Sequence, residues 1–141
     1  MKCILIIDDD QEVRDKIKDL LENEGFNTII ANGGIEAINA LLKGTPDLIV
    51  SEATMSDMDG YQILNHLQKQ PAYCTIPFIF LSSRTNPADI REGMNKGAAD
   101  YLTKPFRAKE LLSAISAQLK KKDKYDQRLK DAYYSASKTQ N

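Results

Sequence analysis

Short apolar runs alternate with amphipathic segments along most of the chain. Residues 3–7 form a continuous apolar run, which is typical of a parallel strand buried on both faces. Four further β-rich runs are predicted at residues 26–31, 47–52, 78–81 and 101–103. Apolar residues recur at helical spacing after each run, and Gly25, Gly44 and Gly97 stand where three of the helices are expected to end. The pattern therefore predicts five consecutive strand–helix units.

Five such units predict an α/β fold, a flavodoxin-like (βα)5 doubly wound parallel sheet with strand order 2-1-3-4-5. In this order the first and third strands lie side by side at the centre of the sheet, and their connections leave in opposite directions. Folds of this kind place their chemistry in the crevice at the carboxyl ends of those strands. The residues that follow each strand are therefore the candidates for a functional site.

Polar side chains lie at the carboxyl ends of four of the five predicted strands. Asp8 and Asp9 follow the first strand, Glu52 ends the third, Ser82 follows the fourth and Lys104 follows the fifth. Because neighbouring strands lie about 4.8 Å apart, the three acids are expected to converge into one acidic pocket. Clustered carboxylates raise one another's pKa unless a cation intervenes, and Mg²⁺ is the hard ion that carboxylate and phosphate oxygens bind. Together with the lysine and the hydroxyl, the pocket is suited to hold a phosphoryl group electrostatically.

Composition and charge narrow the class of protein. The 141 residues are 42% hydrophobic and 28% charged, as expected for one globular domain, and the net charge of −1 argues against a bulk nucleic-acid binder. No apolar stretch approaches the roughly 20 residues of a membrane span, and no signal peptide is visible, so a cytoplasmic protein is expected. Cys3 and Cys74 are expected to be buried thiols in a reducing compartment. The single histidine, His66, excludes a His-rich metal site.

Five segments resemble the receiver domain of bacterial two-component response regulators, the phosphoacceptor module that pairs with sensor histidine kinases. The segments are residues 4–10, 46–50, 58–61, 76–82 and 97–106, and the resemblance extends from about residue 2 to residue 119. It implies a receiver domain at residues 1–119 that signals by protein–protein recognition and is not an enzyme. Residues 120–141 are expected to extend the fifth helix or to form a linker or tail, with a disordered or truncated end from residue 135.

The resemblance implies a metal site in the acidic pocket. Mg²⁺ is the implied cofactor, ligated by Asp9, by Asp8 directly or through water, and by the backbone carbonyl of Thr54. The side chain at the phosphoacceptor position, Glu52, completes the implied ligand set.

The resemblance also implies the residues that contact a phosphoryl group and report its presence. Ser82 and Lys104 would contact the group, and the bond between Lys104 and Pro105 is expected to be cis. Tyr101 matches an aromatic switch residue that turns inward when the Ser82 hydroxyl moves. The alternative for this tyrosine is a half-exposed strand residue without a switching role.

The phosphoacceptor position departs from the family pattern. A gapless alignment places Glu52 where the family carries its phosphorylated aspartate, and Ser56 replaces a proline of the following loop. Glutamate is longer by one methylene, roughly 1.3–1.5 Å, whereas attack geometry suffers from errors of about 1 Å. Three interpretations stay open: a natural receiver that works without phosphorylation, an engineered Asp-to-Glu phosphomimetic, or phosphoryl transfer onto Glu52 or a hydroxyl such as that of Ser51. Asp57 and Asp59 are expected to point away from the pocket.

The partners implied by the resemblance are proteins. A sensor histidine kinase or phosphotransfer protein is expected upstream, and an effector domain or protein is expected on the face formed by residues 87–96, 101–104 and 107–119. Direct nucleic-acid and membrane contacts are not expected, and a homodimer stays open. A flavodoxin-like cofactor-binding enzyme is the alternative of another class, but a Gly-rich phosphate loop is missing after the first strand.

Overall fold

A computed structural model describes residues 1–139, in which five strands and five helices alternate. They are β1 (Cys3–Ile7), α1 (Gln11–Asn23), β2 (Asn27–Ala31), α2 (Gly34–Lys43), β3 (Leu48–Ser51), α3 (Gly60–Gln68), β4 (Phe78–Ser82), α4 (Pro87–Asn95), β5 (Asp100–Thr103) and α5 (Ala108–Thr139). All strand pairs are parallel, and the strand order is β2-β1-β3-β4-β5. The predicted flavodoxin-like topology is therefore confirmed.

The sheet separates two apolar layers because successive side chains of a strand point to opposite faces. Leu5, Ile49 and Phe80 project toward α2, α3 and α4, whereas Ile6, Val50 and Leu81 project toward α1 and α5. These side chains are almost completely buried. Covering both faces explains why β1, β3 and β4 are continuous apolar runs instead of alternating ones.

Side-chain caps fix where three of the helices begin. Asp10 accepts hydrogen bonds from the second and third amides of α1, Asn86 accepts one at α4, where Pro87 follows, and Asp59 forms a capping box with Gln62 at α3. Each cap satisfies an amide that has no partner within its own helix. These loops therefore have fixed geometry at the sheet edge where the candidate site residues lie.

Some sequence expectations differ from the structure in detail. The apolar spacing of Ile35, Ile38, Leu41 and Leu42 predicts α2. Leu41 is buried as expected, whereas Ile35 and Leu42 are exposed, and Ala37 provides the other buried contact with the sheet. Both cysteines are free and partly exposed, so the expectation of buried thiols is wrong. The reason is that both lie at the amino-terminal edge of the sheet, Cys3 at the start of β1 and Cys74 in the segment before β4.

Helix α5 continues well beyond the segment that packs on the sheet. Leu111 and Ile115 are buried, whereas Tyr125, Leu129 and Tyr133 are at least half exposed. The helix reaches Thr139, so the expectation of a disordered end is wrong for residues 135–139, and residues 140–141 lie outside the described part of the chain. Within residues 1–139, no helix is both long and apolar enough to cross a membrane.

Candidate functional site

The parallel strands bring Asp8, Glu52 and Ser82 to one edge of the sheet. The amide of Asp8 donates to Ala31 O at 3.1 Å and the amide of Glu52 donates to Ile7 O at 2.9 Å, so each acid lies one residue beyond its strand. All three side chains are buried, with 5% or less of their surface exposed. Polar groups buried to this degree need hydrogen-bond partners, and the structure supplies them from β4, β5 and the adjoining loops.

Both carboxylate oxygens of Glu52 accept hydrogen bonds. Oε1 accepts from Lys104 Nζ at 3.0 Å, from the Ser83 amide at 3.1 Å and from Ser83 Oγ at 3.3 Å. Oε2 accepts from the amides of Ala53 and Thr54. The carboxylate is therefore surrounded by one ammonium group, one hydroxyl and three backbone amides, a donor set that stabilises an anion.

Lys104 joins the two buried acids. Its Nζ lies 2.8 Å from Asp8 Oδ2 and 3.0 Å from Glu52 Oε1, and its own amide donates to Ser82 O at 2.8 Å. The bond to the following Pro105 is cis, as the resemblance implied. The lysine is thus held at the end of β5 by its main chain while its side chain crosses to β3 and β1.

Burial and pairing have opposite effects on the pKa values at this site. Burial opposes ionisation of Glu52, but the hydrogen-bond donors at the end of β4 and Lys104 outweigh it and hold the pKa of Glu52 below its ordinary value. Burial dominates at Asp8 and raises its pKa despite the contact with Lys104. Burial alone would lower the pKa of Lys104, but its bonds to Asp8 and Glu52 raise it. The arrangement therefore holds Glu52 as an anion and Lys104 as a cation.

The four residues expected to ligate Mg²⁺ are only partly assembled. Asp8 already bonds Lys104 and the Asp10 amide, both oxygens of Glu52 are occupied by donors, and Asp9 is exposed. Thr54, expected to contribute its backbone carbonyl, donates its amide to Glu52. Within residues 1–139, no group of three or more His, Cys, Asp or Glu side chains is placed to hold a metal ion. In this arrangement Glu52 does not fit as a metal ligand, because Lys104 already neutralises the negative charge that would attract a cation. The metal site stays a prediction.

Tyr101 is turned inward and hydrogen-bonded. Only 8% of its surface is exposed, its hydroxyl donates to Arg84 O at 2.9 Å, and it lies 3.3 Å from the Tyr61 hydroxyl. Its ring centroid is 5.3 Å from that of Phe80, and Phe80 is 5.0 Å from Tyr61. The half-exposed tyrosine considered as an alternative is therefore not observed, and Tyr101 ties β5 to the loop between β4 and α4.

Sequence reasoning missed Ser83 and the role of Asp57. Ser83 uses both its amide and its hydroxyl on Glu52, whereas the preceding Ser82 accepts a hydrogen bond from the Arg84 amide at 3.0 Å. The Ser-Ser pair at the end of β4 was the available signal. Asp57 points away from the pocket, as expected, and accepts from the amides of Gly34 and Ile35 at 3.1 Å, which ties its loop to the start of α2.

Comparisons with known proteins identify the family. A family model described as the response regulator receiver domain matches residues 4–116. The chain is 31% identical over 120 residues to the DNA-binding response regulator MtrA of Mycobacterium tuberculosis, covering 85% of this chain and 51% of that protein. This chain thus spans about half the length of the first curated relatives that it matches.

Solved structures give the same result. The signal receiver domain of a signal transduction histidine kinase from Syntrophus aciditrophicus is 35% identical, with a TM-score of 0.79 over 85% of this chain and 91% of that one. A CheY-like receiver domain protein from Methanospirillum hungatei is 27% identical, with a TM-score of 0.83 over 89% and 98% of the two chains. Neither comparison supports the cofactor-binding enzyme considered as an alternative. The chain belongs to the response regulator receiver domain family of two-component signalling.

Proposed function

We propose that this receiver domain works without phosphorylation, and that Glu52 stands at the phosphoacceptor position and imitates the transferred group. The observation that carries the proposal is the set of donors around its carboxylate. Lys104 and the loop after β4 contact Oε1, while the backbone after β3 contacts Oε2. A phosphoryl group on a shorter aspartate would need the same kinds of donor, namely a lysine, a hydroxyl and backbone amides.

The geometry also argues against Glu52 as a nucleophile. In-line attack on a phosphoryl donor requires a carboxylate oxygen with a free approach at about 3–3.5 Å. Oε1 already accepts three hydrogen bonds and Oε2 accepts two, and the side chain is 5% exposed. Attack would require the carboxylate to leave Lys104 and Ser83, so transfer to Glu52 is disfavoured before any chemistry begins.

The inward position of Tyr101 supports the same proposal. The resemblance associates an inward aromatic ring with an occupied phosphoryl site, and here the ring is buried with its hydroxyl bonded to Arg84 O. Glu52 bonds Ser83, immediately before Arg84, so both contacts act on the loop between β4 and α4. We therefore infer that the face formed by α4, β5 and α5 is held in its signalling form and binds an effector domain or protein.

The proposal also states how an upstream partner and Mg²⁺ would interact with this domain. A sensor histidine kinase or phosphotransfer protein would dock on this domain without productive transfer. Mg²⁺, when bound, would neutralise the charge of the Asp8 and Asp9 side chains at the pocket edge and would not use Glu52 as a ligand. Of the interpretations of Glu52, transfer onto the Ser51 hydroxyl is also disfavoured, because that side chain is fully buried and donates to Glu52 O at 2.9 Å.

Labelling with acetyl phosphate and Mg²⁺ tests the proposal. We expect the intact mass of the native chain to stay unchanged, whereas Glu52→Asp gains one phosphoryl group because the shorter side chain vacates the donors. Glu52→Gln is the matched control, since it keeps the length of the side chain but has no nucleophilic carboxylate. Addition of beryllofluoride should shift amide resonances of the loop after β4 in Glu52→Asp only. Labelling of native Glu52 as fast as the aspartate variant would contradict the proposal.

A further inference from the structure

The α5 extension, residues 120–139, carries an apolar stripe beyond the domain. Tyr125, Leu129 and Tyr133 are 50%, 52% and 78% exposed. The stripe consists of Lys122, Tyr125, Leu129, Ala132 and Ala136, and Tyr133 lies beside it. These five residues follow one another at alternating steps of three and four, which is the spacing of a helix that packs along a second helix. Most helical stability in proteins comes from packing of an amphipathic face, so packing of this stripe would stabilise the extension.

The direction of the stripe is set by the part of α5 that packs on the sheet. Leu129 follows Leu111 by eighteen residues, five full turns of a helix, so both project to the same side. Leu111 is fully buried against the sheet, and Tyr125 lines a cavity of about 580 Å³ with Ile76 and Pro77 at the amino-terminal edge of the sheet. The stripe therefore faces the space next to the amino-terminal edge of the sheet.

We propose that the α5 extension pairs with the same segment of a second copy of this chain in antiparallel orientation. A parallel partner helix lying on the stripe would, toward its amino-terminal end, enter the volume that the sheet already fills next to Leu111. An antiparallel partner avoids this, because its own domain lies at the opposite end. The two-fold symmetry then places the same surface of both copies in the interface.

Side-chain size selects the register of the antiparallel pair. When Leu129 lies opposite Ala132 of the second copy, Tyr125 lies opposite Ala136 of that copy, so each large side chain faces a small one. Alternation of large and small residues across an interface allows helices to approach and their side chains to interdigitate. By symmetry each of these contacts occurs twice over a helical segment of about 20 Å.

Charge supports the same register. Asp126 and Tyr133 flank one side of the stripe, and Arg128 and Ser135 flank the other. In antiparallel helices like flanks face each other, so the carboxylate of Asp126 approaches the Tyr133 hydroxyl of the second copy and Arg128 approaches its Ser135. Sliding the pair by one heptad toward the two domains would bring the two Asp126 side chains together, and like charges at such positions are repulsive.

Sedimentation of the complete chain over a wide concentration range tests the pairing. We expect a reversible dimer whose dissociation constant rises about tenfold or more in Leu129→Asp. Tyr134→Asp is the matched control, because Tyr134 is also exposed but lies five residues on, on the opposite side of the helix, and should leave the dimer unchanged. Helix content measured by circular dichroism verifies that both variants fold. A monomer, which would leave the stripe to another protein or domain, or a dimer insensitive to Leu129→Asp overturns the proposal.

Disulfide cross-linking tests the orientation. In the proposed register, a mixture of Leu129→Cys and Ala132→Cys chains should form cross-links that join one chain of each kind. Oxidation of the native chain in parallel corrects for Cys3 and Cys74. Faster cross-linking of Leu129→Cys to itself would demonstrate a parallel pair and overturn the antiparallel arrangement, whatever the function of Glu52.

Discussion

Replacing Lys104 with methionine isolates the electrostatic role of the lysine that joins two buried acids. Methionine keeps most of the length of the side chain but removes the charge that lies 2.8 Å from Asp8 and 3.0 Å from Glu52. These two carboxylates are 3% and 5% exposed, so water cannot replace the ammonium group effectively. The variant therefore contains two buried anions that face each other without a cation.

The expected loss of stability follows from the distances between the charged atoms. Because both oxygens contact the same nitrogen, they lie at most about 6 Å apart, and two like charges at that distance repel by about 3 kcal/mol at an effective dielectric constant near 20. Breaking a buried ion pair by removing one partner costs about 3–5 kcal/mol. We therefore expect Lys104→Met to lower the free energy of unfolding by about 3–5 kcal/mol at pH 7.

The pH dependence of this loss has a definite sign. In the native chain the lowered pKa of Glu52 contributes stability above its unfolded pKa near 4.5, which is lost as the pH falls through the folded value. Without Lys104, burial raises the pKa of both acids, so the variant loses stability as the pH rises through those raised values. The difference between the two proteins should shrink steadily from pH 7 to pH 4.

Urea unfolding followed by circular dichroism between pH 4 and pH 7 measures this difference, in the absence of divalent cations. Lys18→Met is the matched control, because Lys18 pairs with the exposed Glu22 one helical turn away, and its loss should cost less than about 0.5 kcal/mol. A loss below about 1 kcal/mol for Lys104→Met, or one that does not change with pH, would refute this account of the site.

Three further predictions concern the loops and the aromatic cluster. Asp57→Ala should cost about 1 kcal/mol and speed hydrogen exchange at the first turn of α2, and unchanged exchange there would contradict its capping role. Gly93→Ala should lower the free energy of unfolding in urea by about 1–3 kcal/mol, because a Cβ atom would lie 3.0 Å from two buried rings. Gly44→Ala should change stability little, because no atom lies within 4 Å of the added Cβ, and equal effects of the two substitutions would refute the packing argument. Burial and the neighbouring hydroxyl raise the pKa of Tyr61, so stability should fall as the pH rises above 10. In an absorbance titration, the signal that is lost in Tyr61→Phe should resist ionisation until the protein unfolds, and a signal that titrates like a free tyrosine would contradict this.

The strand order and the meeting of Asp8, Glu52 and Lys104 could be predicted from the sequence because both depend on local signals. A continuous apolar run predicts a buried parallel strand, and the residue after each strand must lie at the same edge of the sheet. The side chains contributed by β1, β3 and β5 therefore followed from counting residues along the chain.

The contacts that depend on the path of a loop could not be predicted in this way. Asp57 caps a helix whose first amides are more than twenty residues earlier, and Ser83 reaches Glu52 only because the chain turns after β4. The exposure of Ile35 and Leu42 has a similar origin, since the contact of α2 with the sheet is narrow and Ala37 and Leu41 fill it. Apolar spacing indicates a helix but does not determine how much of the helix is covered.

The unbroken course of α5 has a mechanical consequence. From Leu119 to Thr139 the helix extends about 30 Å past its last buried residue, without a proline or glycine that would act as a hinge. A tilt of about 5° at the anchored end would displace the far end by between 2 and 3 Å, a rigid-lever estimate from the same helical rise. Any tilt of α5 against the sheet therefore produces a larger displacement at its carboxyl-terminal end, and this displacement acts on any molecule in contact with that end.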